Sequence, residues 1–230
     1  MGTSLGKCVR IAAGLFVTAA AMADVIYDNG GPDATTYGTE SELDGLVPDY
    51  MAFDNFTLEE GSNVVTDLHW WGNHYLYYAP SITDNFIIYI FEDNEGVPDF
   101  SSGPLHTIDG SATTPREDTG LDANGNTDSP VFAYDLVFDP ITLDANTTYW
   151  LSITNDFYWY WQGSTTPGTS YSIVGPDFPN DLEEWSDELE TENYNLAFNL
   201  TGSVVPEPST VVLLGAGVAM LFARQRMRRS

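Results

Sequence analysis

The sequence predicts an all-β protein, a single antiparallel β-sandwich that is jelly-roll-like, flanked by two short segments outside its fold. Three observations predict it. From Asp24 to Ser203, short stretches rich in aromatic and β-branched residues are punctuated by Gly, Pro, Asn and Asp clusters, the pattern of strands joined by turns. No stretch of this body keeps a 3.6-residue apolar period over three turns, which argues against a helical domain. The 230 residues, 43% of them hydrophobic, are enough for one domain with a real core once the ends are set aside.

The strands are expected over Ala52–Leu58, Val64–Trp71, Asn85–Phe91, Val131–Val137, Thr148–Asn155, Tyr158–Gln162 and Leu196–Gly202. In Asn85–Phe91 the inward set is Phe86, Ile88 and Ile90 or the opposite parity. Nearly every position there is apolar, so this reads as a central strand buried on both faces. Asp93–Asn126 and Gly175–Asn195 read as loops. The second holds a dense acidic run from Asp181 to Glu190, with Leu182, Trp185 and Leu189 as its packing anchors. There is no internal repeat, and one domain over residues 24–203 suffices.

Met1–Ala23 reads as a signal peptide. Lys7 and Arg10 form a basic start, Ile11–Ala20 an apolar stretch too short to span a bilayer, and Ala21-Met22-Ala23 a small-x-small cleavage site. Signal peptidase and the general secretion machinery are the partners this implies. The single cysteine, Cys8, leaves with that segment, so the mature chain can form no disulfide.

Charge separates the body from its ends. Between Asp24 and Ser203, Arg116 is the one basic residue, against 33 of the chain's 34 carboxylates. Such a surface repels nucleic acid and anionic membranes. It also repels itself, and suits either salty water or an environment rich in cations.

The chain closes in three parts over residues 204–230. Val204-Val205 leads into Pro206-Glu207-Pro208. Val211–Ala223 is uncharged throughout, and Arg224, Arg226, Arg228 and Arg229 follow. An apolar helix of 13 residues covers about 20 Å, marginal against a hydrocarbon core of roughly 30 Å. The arginines stay cytoplasmic by the positive-inside rule, which puts the acidic body on the far side of the inner membrane. Pro206 and Pro208 forbid helix at the junction and hold it extended for a processing enzyme.

This tail resembles the PEP-CTERM sorting domain, in which a Pro-Glu-Pro signature precedes a short transmembrane helix and a basic terminus. The resemblance covers residues 204–230. It implies recognition by an exosortase, a membrane cysteine protease-transpeptidase, with cleavage close to Pro206–Pro208. It also implies transient anchoring in the inner membrane. The destination would be the cell surface or an extracellular matrix of a Gram-negative bacterium that makes exopolysaccharide. The body looks like those joined to such tails, in Ala52–Leu58, His69-Trp70-Trp71-Gly72, Phe86–Asp93, Leu143–Ile153 and Asn195–Gly202. That looser likeness supports a β-sandwich and implies no defined catalytic activity.

The residues themselves offer little chemistry. The mature chain has no cysteine nucleophile, and no serine of the body stands in a Gly-x-Ser-x-Gly elbow. His69 and His74, five apart, would point to opposite faces of a strand, so joint zinc ligation needs a turn at Gly72. The carboxylates are too many to nominate a glycosidase pair. Asp122, Asn124, Asn126 and Asp128 place oxygen ligands at alternate positions, as calcium loops do. The glycine comes too early for an EF-hand, however, and Ala133 stands where its bidentate glutamate belongs. An Asn/Gly-rich loop without an ion explains the same letters, and no other cofactor is expected. Aromatic residues cluster at Trp70, Trp71, Tyr75, Tyr77 and Tyr78 and again in Phe157–Trp161. Strand alternation sends Trp159 and Trp161 to one face and Tyr158 and Tyr160 to the other. Core packing accounts for such residues, and so does stacking of Trp159 and Trp161 on sugars.

The expectation is therefore a non-enzymatic exported protein, sorted by an exosortase and associated with exopolysaccharide. The competing reading is a secreted carbohydrate-binding module or glycoside-active enzyme.

Overall fold

The computed structural model describes residues 23–43, 49–75, 83–110, 114–175 and 189–203. The expected signal peptide up to Met22, Leu182, Trp185 and the whole sorting tail lie outside them. Within them the chain is all-β, in two curled seven-stranded sheets.

The first sheet contains β1 (Asp24–Asp28), β2 (Thr39–Glu40), β4 (Val64–His74), β8 (Arg116–Asp122), β9 (Pro130–Thr142), β11 (Trp159–Trp161) and β14 (Phe198–Ser203). The second contains β3 (Asp49–Thr57), β5 (Ile87–Asn94), β6 (Val97–Pro98), β7 (His106–Asp109), β10 (Thr148–Thr154), β12 (Ser170–Gly175) and β13 (Glu190–Glu192). Every pairing between named strands is antiparallel. β4 is the spine of the first sheet. Gly72 pairs with Phe132 of β9 and with Trp161 of β11, so these strands flank β4 on opposite sides. β14 and β11 follow one another along the same side of β4.

Each of the seven predicted strands has a counterpart within a few residues. The loop expectation for Asp93–Asn126 needs correction, because this segment holds β6, β7 and β8. All three are sheet-margin strands. β8, Arg-Glu-Asp-Thr-Gly-Leu-Asp, exposes much of its length, so no alternation of apolar residues betrays it. The expected Gly175–Asn195 loop likewise contains the short edge strand β13, and β1, β2 and β12 carry no strong sequence signal.

The main core lies between the sheets. Ala52, Phe56, Ile88, Ile90, Leu151 and Ile153 from the second sheet meet Val65, Leu68, Trp70, Leu136, Phe198 and Leu200 from the first. Phe86 sits edge-on to three rings, with centroids 5.0 Å from Trp70, 4.7 Å from Tyr134 and 5.3 Å from Trp159. β5 is buried on both faces, as its apolar run predicts. Its other face joins a second cluster of Met51, Phe53, Tyr89, Phe91, Phe100, Trp150 and Ile173, against which Leu189 packs.

One carboxylate stands inside the main core. Asp54 shares its parity on β3 with Ala52 and Phe56 and is buried. Its Oδ2 accepts from Leu196 N at 2.6 Å and Asn29 Nδ2 at 2.9 Å, and its Oδ1 from Asn55 N at 2.7 Å. Asn29 Nδ2 also donates to Leu196 O at 2.9 Å. The network fastens β3 of one sheet to the approaches of β1 and β14 in the other. Burial pushes the Asp54 carboxyl up to about 7, with the three N–H donors pulling against it.

Candidate ligand-contact end and sorting segment

Strand directions give the molecule two different ends. At one end β1 begins and β14 finishes. Asp24 pairs with Gly202, and Ser203, the last described residue, pairs with Val64. Exposed Glu59, Glu60 and Asp144 stand on the neighbouring inter-sheet loops. These loops are tied together by Leu143 N donating to Asn63 O at 3.0 Å and Asn63 Nδ2 to Leu143 O at 2.7 Å. The 11 residues of β4, at about 3.3 Å each, separate this end from the other by roughly 35 Å.

The other end is aromatic. Within the run Phe157–Trp161 only β11, Trp159–Trp161, alternates as a strand, and the tryptophans take the inner face; Phe157 and Tyr158 are both exposed. Trp159 and Trp161 are fully buried, and Trp161 Nε1 donates to Ala197 O at 3.0 Å. Core packing therefore accounts for both tryptophans, and the alternative that they stack on sugars is overturned, because neither ring reaches the surface. Their burial follows from β11 lying against β4, where Gly72 leaves room for the Trp159 indole.

The tyrosines take the outer face. Tyr160 lies 5.9 Å from Tyr75, ring centroid to centroid, and Tyr75 lies 5.6 Å from Tyr37. The planes are inclined at 42° and 73°, so the row is stepped rather than flat. Tyr37 and Tyr160 are half-buried, while Tyr75 and Tyr158 are exposed. Glu40 is paired with Tyr160 across β2 and β11, and its carboxylate interacts with the phenol. Burial raises both groups above their ordinary values, and the Glu40 charge further discourages ionisation of Tyr160. Tyr37 and Glu40 carry no local sequence signal; only strand pairing and loop closure bring them to this face.

The crossing from β10 to β11 carries a backbone strain. Phe157 and Tyr158 have φ of 57° and 51°, the left-handed region that bulky side chains avoid. Their carbonyls are held from one side, by His74 Nδ1 at 3.1 Å from Phe157 O and by Tyr75 N donating to Tyr158 O at 2.9 Å. Tyr158 N donates to Glu42 Oε2. The surrounding structure thus over-determines the turn.

His74 is buried and committed at both nitrogens. Nδ1 meets the Phe157 carbonyl, which can only accept, so Nδ1 carries a proton. Nε2 lies 3.0 Å from Asp84 Oδ1, and Arg116 approaches Asp84 Oδ2 at 3.5 Å while resting over the Phe132 ring. His69 faces outward instead, with Nε2 2.7 Å from Asp67 Oδ1 and Nδ1 on Asp135. The pair therefore falls on opposite faces of β4, as its spacing predicts.

The Asp122–Asp128 loop closes on its own bonds. Asn124 and Gly125 take positive φ, Asn126 N donates to Ala123 O at 2.9 Å, and Asp128 N donates to Asn126 Oδ1 at 3.1 Å. Asn126 Nδ2 reaches Tyr37 Oη at 3.2 Å, which fastens this loop to the tyrosine row. Among the described residues no three His, Cys, Asp or Glu side chains are grouped to hold a metal.

Ala23 is exposed at the start of the described chain. Ala21, the Pro206-Glu207-Pro208 signature and Arg224, Arg226, Arg228 and Arg229 lie outside the described residues. The family model for the PEP-CTERM protein-sorting motif matches residues 204–229. Neither the comparison with curated proteins nor that with solved structures gives a match.

Proposed function

The chain is a PEP-CTERM sorting-motif protein, exported and sorted to the cell envelope by an exosortase, and from this we propose that its body is a non-catalytic component of an exopolysaccharide matrix. One observation carries the reading. The sorting motif starts at residue 204, immediately after the Ser203–Val64 rung that ends β14. The body is thus coupled to its sorting signal with no intervening domain. Two residues separate Ser203 from Pro206, a reach of at most about 10 Å, so the processing enzyme works close against the folded body.

Two further features support a role without turnover. His74, the buried histidine, has both nitrogens engaged and cannot act as a general base without breaking one contact. The acidic body, with Arg116 withdrawn against Asp84, stays soluble and repels anionic surfaces. After the signal peptidase and the secretion machinery have delivered it, the tail would hold the body at the inner membrane of a Gram-negative cell until cleavage releases it.

Intact-mass analysis of the protein recovered from cell-free matrix of its host tests this reading. The expected mass ends close to Pro206–Pro208 and lacks the arginines. Recovery of the chain only from membranes, with residues 209–230 attached, would overturn it.

A further inference from the structure

We propose that the tyrosine-lined end is a glycan-contact site, formed by Tyr37, Tyr75, Tyr158 and Tyr160 with Glu40 as a hydrogen-bond acceptor, and that its ligand is a neutral, hydroxyl-rich polysaccharide. The inference rests on the matrix reading and names the contact through which the body would engage the matrix.

The chemistry of the surface selects the ligand. Half-exposed phenol rings offer apolar faces, and the C–H face of a pyranose ring is an apolar surface of similar size. Glu40 and the phenolic oxygens add acceptors and a few donors, which a ligand bearing many hydroxyls can satisfy together. Arg116, the body's one lysine or arginine, is already paired with Asp84 and rests over Phe132, so the acidic surface has no free lysine or arginine to offer an anionic polysaccharide. The rings are inclined at 42° and 73°, so they cannot lie together on a flat crystalline face. They suit a soluble chain that bends across steps.

A second, independent observation points to the same end. Two successive left-handed positions are the place for glycine or asparagine. This turn holds Phe157 and Tyr158 instead, both about half exposed at 50% and 51%. Strain of this kind persists where exposed side chains are needed in a fixed orientation. The rings are also pre-organised. Asn126 holds Tyr37, strand pairing holds Tyr160 beside Glu40, and Tyr75 N holds the Tyr158 carbonyl, which lowers the ordering cost of binding.

Native electrophoresis of the full chain in non-ionic detergent tests the site, in gels cast with hydroxyethylcellulose, dextran or alginate. Retardation is expected in at least one neutral gel and not in alginate. Tyr75→Ala and Tyr158→Ala should each weaken it about tenfold, the equivalent of ~1.4 kcal/mol of lost ring contact. Tyr75→Phe, which keeps the ring but loses one phenolic oxygen, should be weakened less than Tyr75→Ala, and Val25→Ser, at the opposite end, should match the parent. Thermal melts confirm that each variant is folded. Equal retardation of both alanine variants and the parent would overturn the site while leaving the matrix reading to its own mass test. A parent that migrates freely in every neutral gel, or is retarded by alginate, would overturn the assignment of ligand class.

Discussion

Gly72 shows how a single position decides what the core can hold. It lies on β4 where β11 packs, and a Cβ built there would overlap the Trp159 indole. Trp159 in turn presses edge-on against Phe86, at the centre of the aromatic cluster. Gly72→Ala should therefore destabilise the protein by about 1–3 kcal/mol, the usual cost of forcing a methyl into a packed interior. A thermal or urea melt measures it, and an unchanged midpoint would show that the indole has room to retreat. Next to this, a change at Val137, largely exposed on β9, should be nearly silent.

At the scale of elements, the crossing between β10 and β11 carries a trade between stability and function. Its left-handed residues are held by contacts from His74, Tyr75 and Glu42. The double substitution Phe157→Asn with Tyr158→Gly relieves the strain of two bulky side chains, and stabilisation by about 1–3 kcal/mol is expected. The same variant removes both exposed rings and should lose its affinity for neutral polysaccharide. A lower melting temperature would mean that Phe157 and Tyr158 support the fold. The β-elements differ in how visible they were from composition. β5 announces itself through the unbroken apolar run Ile87–Phe91, because both of its faces are covered there, while the apolar residues of β10 are interrupted by Ser152. β8 and β13 are polar strands at sheet margins, stabilised by one partner strand each, and nothing local marks them.

Across the whole molecule, the Asp54 network joins the two sheets, so its titration is felt globally. Its carboxyl is raised to about 7 in the fold, against an unfolded value near 3.9. The native state then binds the proton more tightly than the unfolded chain. The associated stability is fully present below about pH 4 and is lost as pH rises through 7. The melting temperature should fall between pH 5 and pH 8, and Asp54→Asn should flatten that slope while lowering stability at pH 5 through its mismatched amide. Equal slopes for parent and variant would assign the pH dependence to other groups. The same view of the whole explains the placement of function. The start of β1 and the beginning of the sorting motif adjoin one acidic end, through the paired strands β1 and β14, while the tyrosine row occupies the other. A body held by its sorting segment would thus present the tyrosines away from the attachment point.

The sequence by itself determined the all-β class, the seven principal strands, the double burial of β5 and the sorting motif at the C-terminus. All are local patterns, since strand periodicity, turn residues and a contiguous tail need no long-range contact to be recognised. It also determined that Trp159 and Trp161 share a face opposite Tyr160. Which face is inside was a tertiary decision. Alternation fixes parity and not direction, and only tertiary packing, with the Trp159 indole seated over Gly72, turns the tryptophans inward. Tertiary structure also decided that Tyr37 and Glu40, 120 residues from Tyr160 in the case of Glu40, complete the aromatic end. Side chains so far apart in the chain become neighbours through strand pairing and loop closure, which no local pattern records.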